Sequence, residues 1–171
     1  MGISMTNSQQ KPASKTLAIP AEAGERLVLG EISPAEFLGI PRERLYEIAT
    51  RGHELLVTGK LKDALEIFKG LVAASPHDSV FHCNLAAVYT QLEQYPEAME
   101  EYTRAIELNI GNVDALVGRV ELFLRDNRVV EALQDIKSVL KYDPEGKREN
   151  TKRARAILAS LQSAAESASK S

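Results

Sequence analysis

A chain of 171 residues with 44% hydrophobic content supports one buried core and tails, not two full domains. Aromatic content of 5%, no tryptophan and only 10 glycines argue against an all-β sandwich, whose short strands need β-branched and aromatic residues and frequent turn glycines. A net charge of −3 gives no overall attraction to nucleic acid, and the single cysteine, Cys83, excludes an intramolecular disulfide.

In chain order, residues 1–16 are rich in Ser, Gln, Asn and Lys and cannot bury enough apolar surface to offset their ordering entropy, so they are expected to be mobile. They also lack the apolar core of a secretory signal peptide, and no run of the chain reaches the ~20 apolar residues of a membrane span. A soluble, cytoplasmic protein in a reducing compartment is expected, without membrane insertion. Apolar residues then gather between Leu17 and Leu29, predicting a short helix over Ala21 to Leu29 that packs on the helices after it that form the array, or on a second copy of the chain. Ser33-Pro34-Ala35-Glu36 is a helix start, with Ser33 as the cap and Glu36 three residues on. Gly39 and Pro41 stop that helix after about one turn.

From Pro41 onward apolar residues recur at helical spacing, giving a helix ended by Thr58-Gly59-Lys60 and a second from Leu61 to about Ala74. Ser75-Pro76-His77-Asp78 terminates it, and Asp78 or Ser79 can cap the next. Helices follow at about 80–92, 95–108, 113–125 and 129–142, with turns at Leu92-Glu93-Gln94 and Asp126-Asn127-Arg128 in the place held by Gly59. A last helix over 147–165 directs Ala154, Ile157, Leu158, Leu161 and Ala165 toward the array and its basic residues outward, with a frayed tail from Ser163. From residue 145 the chain has six basic residues against three acidic, which is read as a solvated face of that helix.

The middle of the chain repeats itself every 34 positions: Ala64, Ala98 and Ala132 are in register, as are Phe68, Tyr102 and Ile136, and Leu55, Tyr89 and Phe123. Units of that length cannot bury an apolar face alone and must stack on their neighbours. The spacing Leu85, Ala86, Tyr89, Ala98, Tyr102, Ala105 resembles the tetratricopeptide repeat, with departures at His82, Ile110, Arg51 and Val120. That resemblance implies an all-α fold of three tandem helix-turn-helix repeats (45–78, 79–112, 113–146) in a right-handed superhelical array. The expected organisation is an N-terminal tail over 1–30, the first helix and repeats over 31–146, and a C-terminal capping helix and tail over 147–171.

Little in the chain suggests catalysis. His82 and Cys83 are adjacent, so on a helix they point about 100° apart and cannot form a nucleophile-base pair. No pair among His53, His77, His82 and Cys83 has zinc-site spacing, and no Gly-Lys-Ser/Thr phosphate loop occurs. Glu93 with Glu97, or Glu100 with Glu101, are read as an outward, solvated face. A non-enzyme without metal or cofactor is expected.

In the tetratricopeptide family the first helix of each unit lines a concave groove. Position by position, that resemblance assigns to the groove Tyr46, Ala49, His53, Leu56 and Val57 from repeat one, Val80, Cys83, Ala87, Thr90 and Gln91 from repeat two, and Asp114, Val117, Glu121, Leu124 and Arg125 from repeat three. The wall so read is apolar over two thirds and charged at one end. The clamp that grips the acidic C-termini of heat-shock chaperones would use Ala49, His53, Asp114 and Gly118 here, and only Asn84 agrees with its pattern. The runs LYEIATRGHELLVTGKLKDALEIFKGL and HDSVFHCNLAAVYTQLEQYPEAMEEYTRAIEL, flanked by an N-terminal arm and a cap, are similar to the class II translocator chaperones of bacterial type III secretion. The resemblance implies a groove that holds an extended apolar segment of a hydrophobic translocator, and a homodimer formed through the N-terminal arm. A general scaffold joining two proteins is the alternative. Leu56→Glu is expected to abolish binding while leaving the array folded.

Overall fold

The computed structural model describes residues 20–168, which contain nine helices and no strand. Helices α1 (Ala21–Val28) and α2 (Pro34–Phe37) lead into three hairpins: α3 (Arg42–Val57) with α4 (Leu61–Ala74), α5 (Ser79–Gln91) with α6 (Tyr95–Leu108), and α7 (Val113–Arg125) with α8 (Val129–Tyr142). Helix α9 (Glu149–Ala168) closes the array. Each helix packs against the next along the chain from α3 to α8, and α3, α5 and α7 also meet side by side. This is an all-α array of stacked helix-turn-helix repeats.

Small residues sit where helices approach and large ones fill the space between. Ala64, Ala98 and Ala132 are each 0% exposed, and the large residues four positions on, Phe68, Tyr102 and Ile136, are 0%, 6% and 1% exposed. Full burial of one such large side chain stabilises by about 2–3 kcal/mol. The core is continuous: one cluster centres on Phe68 and Phe81, a second on Val120 and Ile136, and Ala86, Ala98, Tyr102 and Ala115 join them.

The turns repeat as faithfully as the helices. Gly59, Glu93 and Asn127 lie 34 residues apart and all adopt left-handed backbone, with φ of 76°, 60° and 57°. Only the first of the three is the residue type for which that conformation is free of strain. At the next junction, Asp78 caps α5 by accepting from Val80 N at 2.9 Å, and Asn112, 34 positions later, caps α7 by accepting from Ala115 N at 3.0 Å. Ser33 and Glu36 form the reciprocal capping box on α2. Buried Ser79 donates to the Ala105 carbonyl at 2.8 Å and accepts from Asn112 Nδ2 at 2.7 Å, so this polar junction between repeats two and three has its hydrogen bonds satisfied.

Several expectations change. Residues 1–19, including Leu17 and Ile19, lie outside the described residues, as does the mobility expected of 1–16. Helix α1 contacts α2 alone and does not pack on the repeats. The final helix continues to Ala168 without interruption at Ser163, and Ala165 is exposed, because α9 projects past the last repeat. Its basic residues Lys152, Arg153 and Arg155 are exposed as expected, and two of them also make contacts: Arg153 pairs with Glu121 and Arg155 donates to the Pro144 carbonyl at 2.6 Å. Glu101 is likewise not simply solvated, since it meets the ring of His82.

Candidate functional site

The side-by-side first helices of the repeats leave a cleft of about 300 Å³ on their inner face. Helix α3 contributes His53 and Leu56, and α5 contributes Val80, Cys83, Asn84 and Ala87. Tyr102 enters from α6, Asn112 and Asp114 from the start of α7, and Asn150 from α9. Cys83 and Ala87 are one helical turn apart, so two short side chains lie in line on the α5 wall. Tyr102 reaches the cleft because Gly118 has no side chain: a Cβ there would collide with the tyrosine ring.

Six of the sequence-assigned residues therefore come together: His53, Leu56, Val80, Cys83, Ala87 and Asp114. The others are placed elsewhere. Tyr46 donates to Asp78 Oδ2 at 2.9 Å and packs its ring 5.1 Å from that of Phe81. Ala49 is 7% exposed and belongs to the core. Val57, at the end of α3, is 71% exposed. Thr90 donates to the Ala86 carbonyl at 2.9 Å, within its own helix. Val117 is 2% exposed and Leu124 half-buried, both in the core that α7, α8 and α9 share, and Glu121 faces Arg153 of α9. Helix α9 thus covers the inner wall of repeat three and confines the open cleft to repeats one and two and their border with the third.

Leu56 lines the cleft yet is only 6% exposed and packs within the first core cluster, so groove and core share this residue. The expectation that Leu56→Glu spares the fold is corrected accordingly: the substitution buries a carboxylate in the core. Tyr102, Asn112 and Asn150 were not assigned to the groove from sequence. The signal for Tyr102 is the glycine opposite it; for Asn150, on a helix outside the repeat, periodicity carries no signal. The three asparagines and Asp114 make the cleft more polar than the apolar wall expected.

Electrostatically the site is not built for nucleophilic chemistry. Burial, reinforced by the negative charge of Asp114, pushes the Cys83 thiol up to about 12, so it remains protonated. Burial pushes the Tyr102 phenol up to about 12 as well. Glu121 is raised by burial, with the Arg153 guanidinium opposing. Arg153 Nε lies 2.7 Å from Glu121 Oε1, close enough for charge pairing but out of line for a hydrogen bond. Asp114 accepts from Asn150 Nδ2 at 2.8 Å and has no cationic partner among the described residues.

Residues 79–112 match the family model of the tetratricopeptide repeat. The fold is shared with solved structures: a chain of a type III secretion complex from Aeromonas hydrophila superposes with a TM-score of 0.73 at 18% identity, over 85% of this chain and 98% of that one. Residues 79–112 thus match one tetratricopeptide repeat, within an array that has the fold of such proteins. The array also resembles the Yersinia enterocolitica type III secretion chaperone SycD in complex with a peptide of the translocator YopD, with a TM-score of 0.64, 22% identity, and coverage of 72% of this chain and 95% of that one. The first tetratricopeptide domain of Spaghetti (RPAP3), bound to the HSP90 peptide SRMEEVD, gives 0.61 at 23% identity over 71% and 96%. Among curated relatives, the rat (Rattus norvegicus) DnaJ homolog subfamily C member 3 is 34% identical over 93 residues, which are 54% of this chain. The matched stretch spans 18% of that relative's length. Among the described residues no helix is long and apolar enough to cross a membrane.

Proposed function

We propose that this tetratricopeptide array is a non-catalytic, cytoplasmic chaperone that holds an extended apolar segment of a hydrophobic type III secretion translocator in its concave cleft. The observation that carries the reading is the pair of short side chains, Cys83 and Ala87, in a cleft also lined by Leu56 and the 42% exposed Val80. Short residues in line along a wall leave room for a peptide backbone, and the flanking apolar groups form pockets for its alternate side chains. Likeness in fold to SycD supports the translocator as partner. The binding residues are His53, Leu56, Val80, Cys83 and Ala87. The exposed Val28 and Leu29 of the N-terminal arm would serve a homodimer, residues 31–146 forming the binding domain and 147–171 its cap.

The second reading is a scaffold that reads peptide C-termini, as the likeness to the HSP90-bound RPAP3 domain suggests. Asp114 in the cleft works against it, because a terminal carboxylate placed there meets a like charge. Labelled peptides separate the two. The YopD peptide is expected to bind in fluorescence anisotropy, SRMEEVD is not, and Ala87→Glu is expected to weaken binding by at least about tenfold by placing a charge on the apolar wall. Binding of SRMEEVD alone, or of the YopD peptide unaffected by Ala87→Glu, would overturn the proposal.

A further inference from the structure

Asp114 lies in the cleft beside the short-chain α5 wall, exposed, with one oxygen on the amide of Asn150 and with no positive side chain paired to it among the described residues. Its charge is felt inside the cleft, at the Cys83 thiol. A second acidic group of the same α7 face, Glu121, is seven residues on and two turns along, and it is matched by the guanidinium of Arg153 from α9. One acidic position on this face therefore already takes a cation from the chain's own cap, while the equivalent position in the open cleft has none. Of the side chains that line the cleft, His53 is the only one able to carry a positive charge, and Asp114 the only one carrying a negative charge at neutral pH.

We infer that the cleft selects segments in which a lysine or arginine lies next to small apolar residues, and that Asp114 is the residue that reads this cation. The inference rests on the cleft being the peptide site and adds the charge of its occupant. The apolar neighbours fill the space over Cys83 and Ala87, the ammonium or guanidinium reaches Asp114, and the amide of Asn84 is available to the peptide backbone. Ion pairs shielded on one side by an apolar wall are screened less than pairs in open water, so the charge contributes selectivity where a surface pair would contribute little.

A library of random 12-residue peptides displayed on phage, selected on the intact chain, tests this. Selected sequences are expected to be enriched in Lys or Arg beside Ala, Val or Leu. Replacing that basic residue by Gln in a synthetic copy should weaken binding roughly three- to fivefold, the range of a partly exposed ion pair. On Asp114→Asn, whose amide keeps the shape of the carboxylate, the two copies should bind within about 1.5-fold of each other, with circular dichroism reporting an unchanged fold. Peptides selected without basic residues, or a lysine preference that persists in Asp114→Asn, would overturn the cation inference and leave the groove reading standing. An absence of selected peptides, or peptides whose binding ignores Ala87→Glu, would overturn both.

Discussion

Helices α1 and α9 flank the same three repeats and each has an apolar side, yet they end in opposite situations. Helix α9 buries Thr151 and Ala154 completely and lays Ile157 and Leu158 on the third repeat. Helix α1 leaves Val28 87% and Leu29 65% exposed and touches only α2. The difference lies in the polar groups at the helix start. Asp143 accepts from Lys147 N at 3.1 Å, Arg148 N at 2.9 Å and Thr151 Oγ1 at 2.6 Å, fixing where α9 begins before its apolar side meets the array. Asn150 and Arg153 then engage α7. Helix α1 begins at Pro20 with no side-chain cap, so nothing sets its angle to the repeats. An apolar stripe can bury a helix, but anchors at its end decide where.

The largest expected effect tests that contrast directly. Ala154→Asp puts an unpaired carboxylate in a site that is 0% exposed and should cost about 3–5 kcal/mol in urea unfolding followed by circular dichroism. Val28→Asp, at the other end, should stay within about 0.5 kcal/mol. Equal losses at the two positions would break the comparison.

A smaller, pH-dependent pair of effects sharpens it by setting the cap anchor against a group inside the array. The Thr151 hydroxyl, then the Arg148 and Lys147 backbone N–H groups, pull the Asp143 carboxyl down to about 2. A depressed carboxylate contributes stability above its ordinary pKa of 3.8 and loses it as pH falls toward 2, so α9 docking should loosen over that window. His82 behaves oppositely. Burial disfavours its charge, but the hydrogen bonds to Glu101 Oε2 at 2.5 Å and the Pro76 carbonyl at 3.0 Å outweigh that and raise its pKa. Both ring nitrogens face oxygen acceptors, the arrangement suited to an imidazolium. Its contribution is complete below 6.5 and disappears as pH rises through the raised value. Urea midpoints measured across pH should show Asp143→Asn flattening the acid limb and His82→Gln the alkaline one.

The repeat was legible because small and large residues alternate at fixed steps, and a period constrains every helix at once. The spans 95–108, 113–125 and 129–142 read from sequence coincide with α6, α7 and α8. The site was legible only in part. Position within a repeat says which way a side chain points, not what lies over it. Val117 points inward as expected but α9 covers it, and Leu56 serves core and cleft together. Glu101 read as a solvated carboxylate because its partner, His82, is on the preceding helix and 19 residues away.

The smallest expected effect concerns the turns. Glu93→Gly relieves a left-handed φ at a non-glycine residue and should stabilise by up to about 1 kcal/mol. Asn127→Gly should gain less, since asparagine tolerates that region better. Thermal melts of the two variants check the order.

Those three left-handed residues, Gly59, Glu93 and Asn127, give every hairpin the same bend, and none of them lines the cleft. Curvature is thus dictated from the elbows, at a distance from the surface a partner would touch. Mutation can then rewrite the contact residues for a new cargo while the cradle keeps its form, and a duplicated 34-residue block could lengthen the cradle without altering its arc.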